Sequence, residues 1–532
     1  MKPARPASRA LAGALAALAL AACAGPGAYP RMPAPESLPG NSPLLSRTLG
    51  RTDAWLRHYV MAGHADSAVL LLDSASRVRP RDELVRQLQL GIVYHYAGKW
   101  EASNAAFEWA ETEAQNRFTR SLSQQAGQLV LNDAVVEYVP PPAEMALLPY
   151  YRMLNYMALG STDGALVEAR KSSDWLARLS DRKDPCVGDG FVHYLAGLAF
   201  RGAGERGDAL VSYRNAERSF GACAAKDDAA APEWLGAELY RAAMDAGVRS
   251  VADSAARQYR LAHFAMEPDA GSAQLVVFVE NGWVAHRAGE ALHVPIFKDE
   301  LDAASGGNTA DVAARVLARL AGNAQEQAYW GEAFDDNPVV QAATAAEGGY
   351  VMRLAWPGYR LEAADAPRVR VVVDSQAVDA PVVEDVSAAM LRRWQADRPG
   401  VFTRMVGRGL VKLVATQEVE RAVTKKDETA GWIAGRVLNL GGNLLERADT
   451  RSWSLLPNRI SVARFTLPAG EHAVRLEVLD DAGGVAQTVE LGRVTLQPRG
   501  TLVLNRRVWG DEMGDVRQLA RRGGFEKRAQ VR

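Results

Sequence analysis

Between about residues 45 and 265 the apolar positions recur three and four apart, the spacing that puts them on one face of a helix. The segments also repeat one another. WLRHYVMAGHADSAVLLLDSASRVRP carries Tyr59, Gly63, Ala68, Leu72, Ala75 and Pro80, and thirty-five residues on the order returns as Tyr94, Gly98, Ser103, Phe107 and Ala110. It returns again as Gly197, Phe200, Gly204, Ala209, Tyr213 and Ala216, and more faintly as Tyr156, Gly160 and Ala165. Each copy predicts a helical pair. The glycine ends the first helix in a left-handed conformation, the small residue five positions later lets the second helix approach, and aromatics fill the space between. A fifth, degenerate pair is expected around Trp234 to Phe264. Copies two and three are separated by an insertion too long for a connecting loop. A helix is expected there over Arg117 to Leu131, then a crossing segment broken at Pro140-Pro141-Pro142.

After Pro268 the period changes. QLVVFVENG, ALHVPIF, YVMRLAWPGY and VRVVVDS are short, rich in β-branched and aromatic residues and bounded by turn formers, so they predict strands. Helices are expected over about Val383–Asp397 and Val401–Val423, and a third over residues 430–449, interrupted at Gly441-Gly442. Further strands follow, punctuated by hairpin turns at Pro468-Ala469-Gly470 and Asp481-Ala482-Gly483-Gly484. The fold class is therefore α+β and multidomain. A helical repeat half (46–266) precedes a mixed, β-rich half (270–510) built as a small antiparallel sandwich with docked helices.

The helical copies resemble the tetratricopeptide repeat, a helix-turn-helix unit of about 34 residues. The resemblance implies a solenoid whose concave face is lined by Arg57, His95, Tyr96, Tyr150, Tyr194 and Arg201. Rigid aromatics with Arg and His suit recognition of a peptide or protein. The competing reading is that several of these side chains pack between helices.

The N-terminus changes the picture of where the chain works. Lys2, Arg5 and Arg9 precede an apolar run from Ala10 to Ala22, the layout of a secretory signal and too short to remain as a spanning helix. Leu20-Ala21-Ala22-Cys23 resembles the lipobox of bacterial lipoproteins, which implies a signal peptide over 1–22, acylation of Cys23 and a lipid anchor. Ala24 in place of an Asp points to the outer membrane. Residues 23–45 are rich in Pro and Gly and read as a tether, and 511–532 as a charged tail.

Charge and cysteines narrow the function classes. Lys plus Arg number 62 against 63 Asp plus Glu, and the leader removes three positive charges, so the mature chain stands at −4. No basic excess offers itself to nucleic acid. Beyond Cys23, Cys186 and Cys223 flank the third clear copy, and antiparallel helices bring those points to one end. In an oxidising periplasm that predicts a disulfide, the alternative being two unpaired thiols.

Catalytic motifs are lacking. Gly202-Ala203-Gly204-Glu205-Arg206-Gly207 matches GxGxxG but falls in a turn between helices rather than after a strand. There is no phosphate loop, HExxH or GxSxG, and the eight histidines are scattered, with His286 and His293 across an expected hairpin. Asp133, Glu144 and Glu168 are the carboxylates that could pair. No metal and no cofactor is implied, and an enzyme is the minority reading.

Residues 121–171 and 446–470, with the lipobox, resemble a family of uncharacterised Gram-negative lipoproteins that place tetratricopeptide-type helices before a β-rich part. The resemblance implies no catalytic residues and suggests cell-wall synthesis machinery as a partner class. Asn132-Asp133, Tyr150-Tyr151, Asn155, Glu168-Arg170 and Arg447-Asp449-Arg451-Trp453 are its dense polar runs, the last reading best as a network joining the halves. The expectation is a non-enzymatic, outer-membrane-anchored scaffold in cell-envelope assembly that binds a periplasmic or outer-membrane protein. The alternative is a module for peptidoglycan or exported polysaccharide, using exposed aromatics of the β-rich half.

Overall fold

The computed structural model describes residues 49–74, 80–124, 137–179, 186, 189–223, 229–261, 271–322, 350–360, 368–424, 448–480 and 482–508. The leader, Cys23, the tether, Asp133, nearly all of the expected helix 430–449, Asp481 and the tail lie outside these residues.

Among the described residues ten α-helices come first: α1 (Arg51–Met61), α2 (Ala65–Ser74), α3 (Glu83–Tyr96), α4 (Trp100–Gln124), α5 (Pro142–Ala158), α6 (Thr162–Leu179), α7 (Gly190–Gly202), α8 (Arg206–Cys223), α9 (Leu235–Asp245) and α10 (Arg249–Gln258). They pack as five consecutive pairs, and each second helix also packs on the next pair. The turns share one device. Gly63, Gly98, Gly160, Gly204 and Gly247 all hold φ between 69° and 81°, where a Cβ would be strained. Two further glycines serve packing. Gly91 and Gly197, each seven residues before its turn glycine, lie under the rings of Phe107 and Tyr213, and a Cβ on Gly197 would come within 2.6 Å of Tyr213 Cε1. A disulfide joins Cys186 to Cys223, Cα atoms 5.1 Å apart, at the end of the α7–α8 pair away from its turn.

The insertion differs from its expectation. The second helix of copy two runs on without interruption to Gln124, and the prolines start a helix rather than break a crossing segment. Pro141 is the N-cap of α5 and Pro142 its first residue, a position where the missing N–H would have had no partner in the helix.

The second half begins with β1 (Ser272–Asn281), β2 (His286–Ile296), α11 (Lys298–Ser305), α12 (Thr309–Gly322) and β3 (Tyr350–Arg360). It continues with β4 (Arg368–Val373), β5 (Gln376–Asp379), β6 (Val382–Asp385) and α13 (Val386–Thr424), and ends with β7 (Arg459–Pro468), β8 (Gly470–Leu479), β9 (Val485–Leu496) and β10 (Thr501–Val508). One sheet has the order β10-β1-β7-β6, a second β5-β4-β8-β9, and β2 pairs with β3. The sandwich is not wholly antiparallel, because β1 pairs with β10 in parallel, from Gln274↔Thr501 to Asn281↔Val508. His286 and His293 share strand β2 instead of facing each other across a hairpin. The two helices expected between 383 and 423 are one helix that passes through Pro399. Pro399 sits among exposed Gln395, Ala396 and Gly400, so the carbonyl its ring leaves unbonded faces water.

These parts stack in three layers. Val276 and Phe278 of β1, with Ile460 and Val462 of β7, join a core shared with the helices. Leu275, Val277 and Val279, the alternate set, join a second core against β4 and β8. A third core lies between β2, β3, α12 and α13. The fold is mixed helix and sheet: among the described residues strands begin only after residue 270, three helices lie among them, and the largest core spans that boundary.

Gly197→Ala should lower the unfolding free energy of the full chain by about 1–3 kcal/mol, since the Tyr213 ring or the α7 backbone must shift to admit a methyl. Thermal unfolding measured beside Gly202→Ala, where a Cβ meets nothing within 4 Å, checks it.

Candidate functional site

The six side chains expected to line an open groove all lie on first helices of pairs: strands β1 and β10 lie against His95, Tyr96, Tyr150 and Tyr194, the segments after β1 and before β7 cover Arg57, and Arg201 bonds to Glu238 of α9. Arg57, His95, Tyr150 and Tyr194 are buried, and Tyr96 and Arg201 are partly so. The correction is physical: the helix-facing side of β10-β1-β7 carries the polar and aromatic partners that a foreign peptide would otherwise bring.

Two clusters fill that interface. In the first, Glu280 of β1 is fully buried and accepts bonds from the hydroxyls of Tyr96 and Tyr151 (3.1 Å for the latter) and from Asn505 Nδ2 (2.7 Å). Arg507 of β10 lies 3.6 Å from the same carboxylate and donates to the Tyr96 hydroxyl at 2.7 Å. Asn505 Nδ2 also donates to the Tyr150 hydroxyl (2.9 Å), and the His95 ring bridges Asn155 (2.6 Å) and Asn505 (3.2 Å). Burial, reinforced by the Glu280 charge, pushes the Tyr150 and Tyr151 phenols well above their ordinary range. They therefore remain neutral donors and acceptors. Arg57 donates to the carbonyls of Ser454 (3.1 Å) and Val284 (3.0 Å). Arg57 and Arg507 lie 5.1 and 4.7 Å from the ring centre of Trp283.

In the second cluster Glu238 of α9 is fully buried and bonded to Arg201 of α7, with Arg464 of β7 at 2.9 Å and Arg241 at 3.5 Å. Tyr194 accepts a bond from Trp234 Nε1 at 2.9 Å.

Of the candidate carboxylates, Asp133 lies outside the described residues, and Glu144 and Glu168 have separate partners. Glu168 meets Arg152 at 2.9 Å, and Glu144, fully buried at the start of α5, accepts from the Tyr138 hydroxyl. Burial pushes the Glu144 carboxyl up to about 7, although Arg287 and the Tyr138 bond pull it down. Arg287 lies over the rings of Tyr138 and Tyr359, both 5.7 Å away. Arg451 pairs with Asp449 (2.7 Å) and Asp82 (3.0 Å), tying the segment before β7 to the start of α3. Trp453 is buried against Phe107 and Tyr151, and Trp283 is buried too, so neither presents a face to a sugar. Among the described residues no group of three His, Cys, Asp or Glu side chains could hold a metal ion, and no helix is long and apolar enough to cross a membrane.

Sequence reasoning passed over Glu280, Arg464 and Arg507. Their signal was available: Glu280 and Arg464 are charges in largely apolar strand runs, and Arg507 follows Asn505 at alternate positions of β10, all on the side facing the helices. No family model, curated protein or solved structure matches this chain.

Tyr150→Ala should cost about 3–5 kcal/mol, the range for losing a large buried ring, because the ring packs on Tyr151, Phe191 and Phe278 and its hydroxyl holds Asn505. Denaturant unfolding measures it, and a loss under about 1 kcal/mol would mean the interface is open after all. Glu144 supplies a pH test. Its folded pKa lies above the unfolded value, so its contribution is fully present below the unfolded pKa and is lost as pH rises toward about 7. Relative to wild type, Glu144→Gln should gain about 3 kcal/mol of stability between about pH 4 and pH 8. Paired unfolding curves at the two pH values check the sign.

Proposed function

We propose that the mature chain is an outer-membrane lipoprotein, held by acylated Cys23 on the periplasmic side, whose helical pairs form a tetratricopeptide-type solenoid serving as a scaffold for a protein partner in cell-envelope assembly. The observation that carries this reading is the shared turn: five successive glycines with the same left-handed φ, each followed five residues later by Ala or Ser. Stacked pairs of this kind offer an extended surface suited to protein contact. The N-terminal signal and lipobox support the location, and the family resemblance supports cell-wall synthesis machinery as the partner class.

The sheet occupies the first helices, so partner contact in this reading falls on the second helices. Leu70, Val167 and Val211 stand there in one register, each seven residues after its turn glycine and at least half exposed (70%, 50% and 54%). Trp109 adds an exposed ring on α4. Binding to peptidoglycan or exported polysaccharide has less support, given the buried Trp283 and Trp453.

Photo-crosslinkers placed at Val167 and Val211 in the native envelope should give a discrete adduct with one periplasmic or outer-membrane protein. The double variant Leu70→Glu with Trp109→Glu should weaken that adduct at least about fivefold while the melting temperature holds, both sites being exposed. Adduct yield unchanged by the glutamates would refute the surface, and a Cys23→Ala protein that still fractionates with the outer membrane would refute the anchor.

A further inference from the structure

The Glu238 cluster is unbalanced in charge, and the imbalance is buried. Three guanidiniums, from α7, α9 and β7, converge on one carboxylate that has no exposed surface. The side chains of Arg464, Arg241 and Arg201 are 9%, 11% and 22% exposed. Glu238 uses both oxygens on them, and the amide end of Gln274 of β1 lies 3.2 Å from Arg241 Nη1 and 2.9 Å from Arg464 Nη2, where only its oxygen can accept from these two donors. Gln274 is neutral, so two positive charges remain. Arg464 Nε is buried with no hydrogen-bond partner.

Among the described residues nothing else on the surrounding elements takes up the surplus. The phenols of Tyr194 and Tyr213 are pushed up by burial and by Glu238, and stay neutral. Asp245, exposed at the end of α9, attracts Arg201 from outside ion-pair range. Despite its burial Arg201 is raised by Glu238, its closest partner. Arg241 is held below its ordinary value by burial, and the like charges of Arg464 and Arg201 add to that against the pull of Glu238. Buried charge of one sign is costly unless an opposite charge joins it.

We propose that Arg201, Arg241 and Arg464 form a binding site for a doubly charged oxyanion of the phosphate type, entered past Arg201 and seated beside the Glu238–Gln274 pair. Planar guanidinium forks with donors to spare match tetrahedral oxyanions, and a dianion balances two charges where a carboxylate balances one. Glu238 sets the affinity: it holds the arginines together and repels the ligand.

The test uses the full chain and inorganic phosphate, with acetate as the singly charged comparison, followed by calorimetry. Wild type should bind one phosphate saturably and acetate at least about tenfold more weakly. Arg201→Gln, at the most exposed of the three, should weaken phosphate about tenfold with little change in melting temperature. Glu238→Gln should tighten phosphate about tenfold even as it lowers the melting temperature, an opposite movement that a purely structural cluster would not produce. If Glu238→Gln does not fold, Arg201→Gln and the acetate comparison decide. Absence of saturable phosphate binding, equal binding of acetate, no weakening by Arg201→Gln or weaker binding by Glu238→Gln would each overturn the site.

Discussion

Strand β1 is buried on both faces, and most of the architecture follows from that. Its two sets of alternate side chains enter two different cores, one shared with the helices and one with the second sheet. A strand in that position has no water to satisfy a polar side chain, so Gln274 and Glu280 must be partnered by the chain itself. The partners come from far along the sequence: Tyr96 and Tyr151 from the helices, Asn505 and Arg507 from the last strand. The parallel pairing of β1 with β10 puts Arg507 directly beside Glu280. An antiparallel neighbour in a shifted register would place an aliphatic residue there and leave the carboxylate alone.

Buried ion pairs of this kind contribute little net stability compared with apolar packing of the same volume, but removing one partner is expensive. Their value here lies in register. The helix-facing polar positions of β1, β7 and β10 fit only when each strand is correctly slid and faced, since a one-residue slip sends a charge into the apolar core between the sheets. Arg464 opposite Val276 on β7, and Arg507 opposite Glu280 on β10, fix β1 from both sides. Arg451 extends the same logic to the segment before β7, whose Trp453 fills space between Phe107 and Tyr151.

The local structure was legible where one residue's conformation decides it. Turn glycines at 63, 98, 160 and 204 announce left-handed positions, and Gly247 was missed because the aromatic four residues before the other turns is Ala243 there. Most strands were legible as short runs of β-branched and aromatic residues between turn formers, while β5 and β6, with four residues each, are too short to stand out. What pairs with what was not legible, because the contacts span hundreds of residues and no local rule fixes them. The groove residues illustrate the difference. The repeat register selected side chains that do lie on one face of the first helices, but it carries no information about who occupies that face. The strand charges at 280, 464 and 507 held that information, as groups that could be buried only against polar helices.

Occupation of the helix face by the chain's own sheet limits how this protein can engage anything else. A ligand that entered between the layers would have to displace the ring of Tyr150, the Asn505 bridge and the Arg507–Glu280 pair together, and would strand two buried carboxylates without their cations. The cost of leaving one such charge unpaired, about 3–5 kcal/mol, already rivals the differential affinity that drives most ligand-induced changes of state. Exchange of the sheet for a partner is therefore the least accessible route, even though the helices taken alone look made for it. Contacts that leave the layers together are favoured: the outer row of second helices, and the edge of the interface where Arg201 reaches solvent. At that edge the carboxylate of Glu238 does not balance the three guanidiniums around it, so a small anion could complete the helix–sheet contact there without opening it.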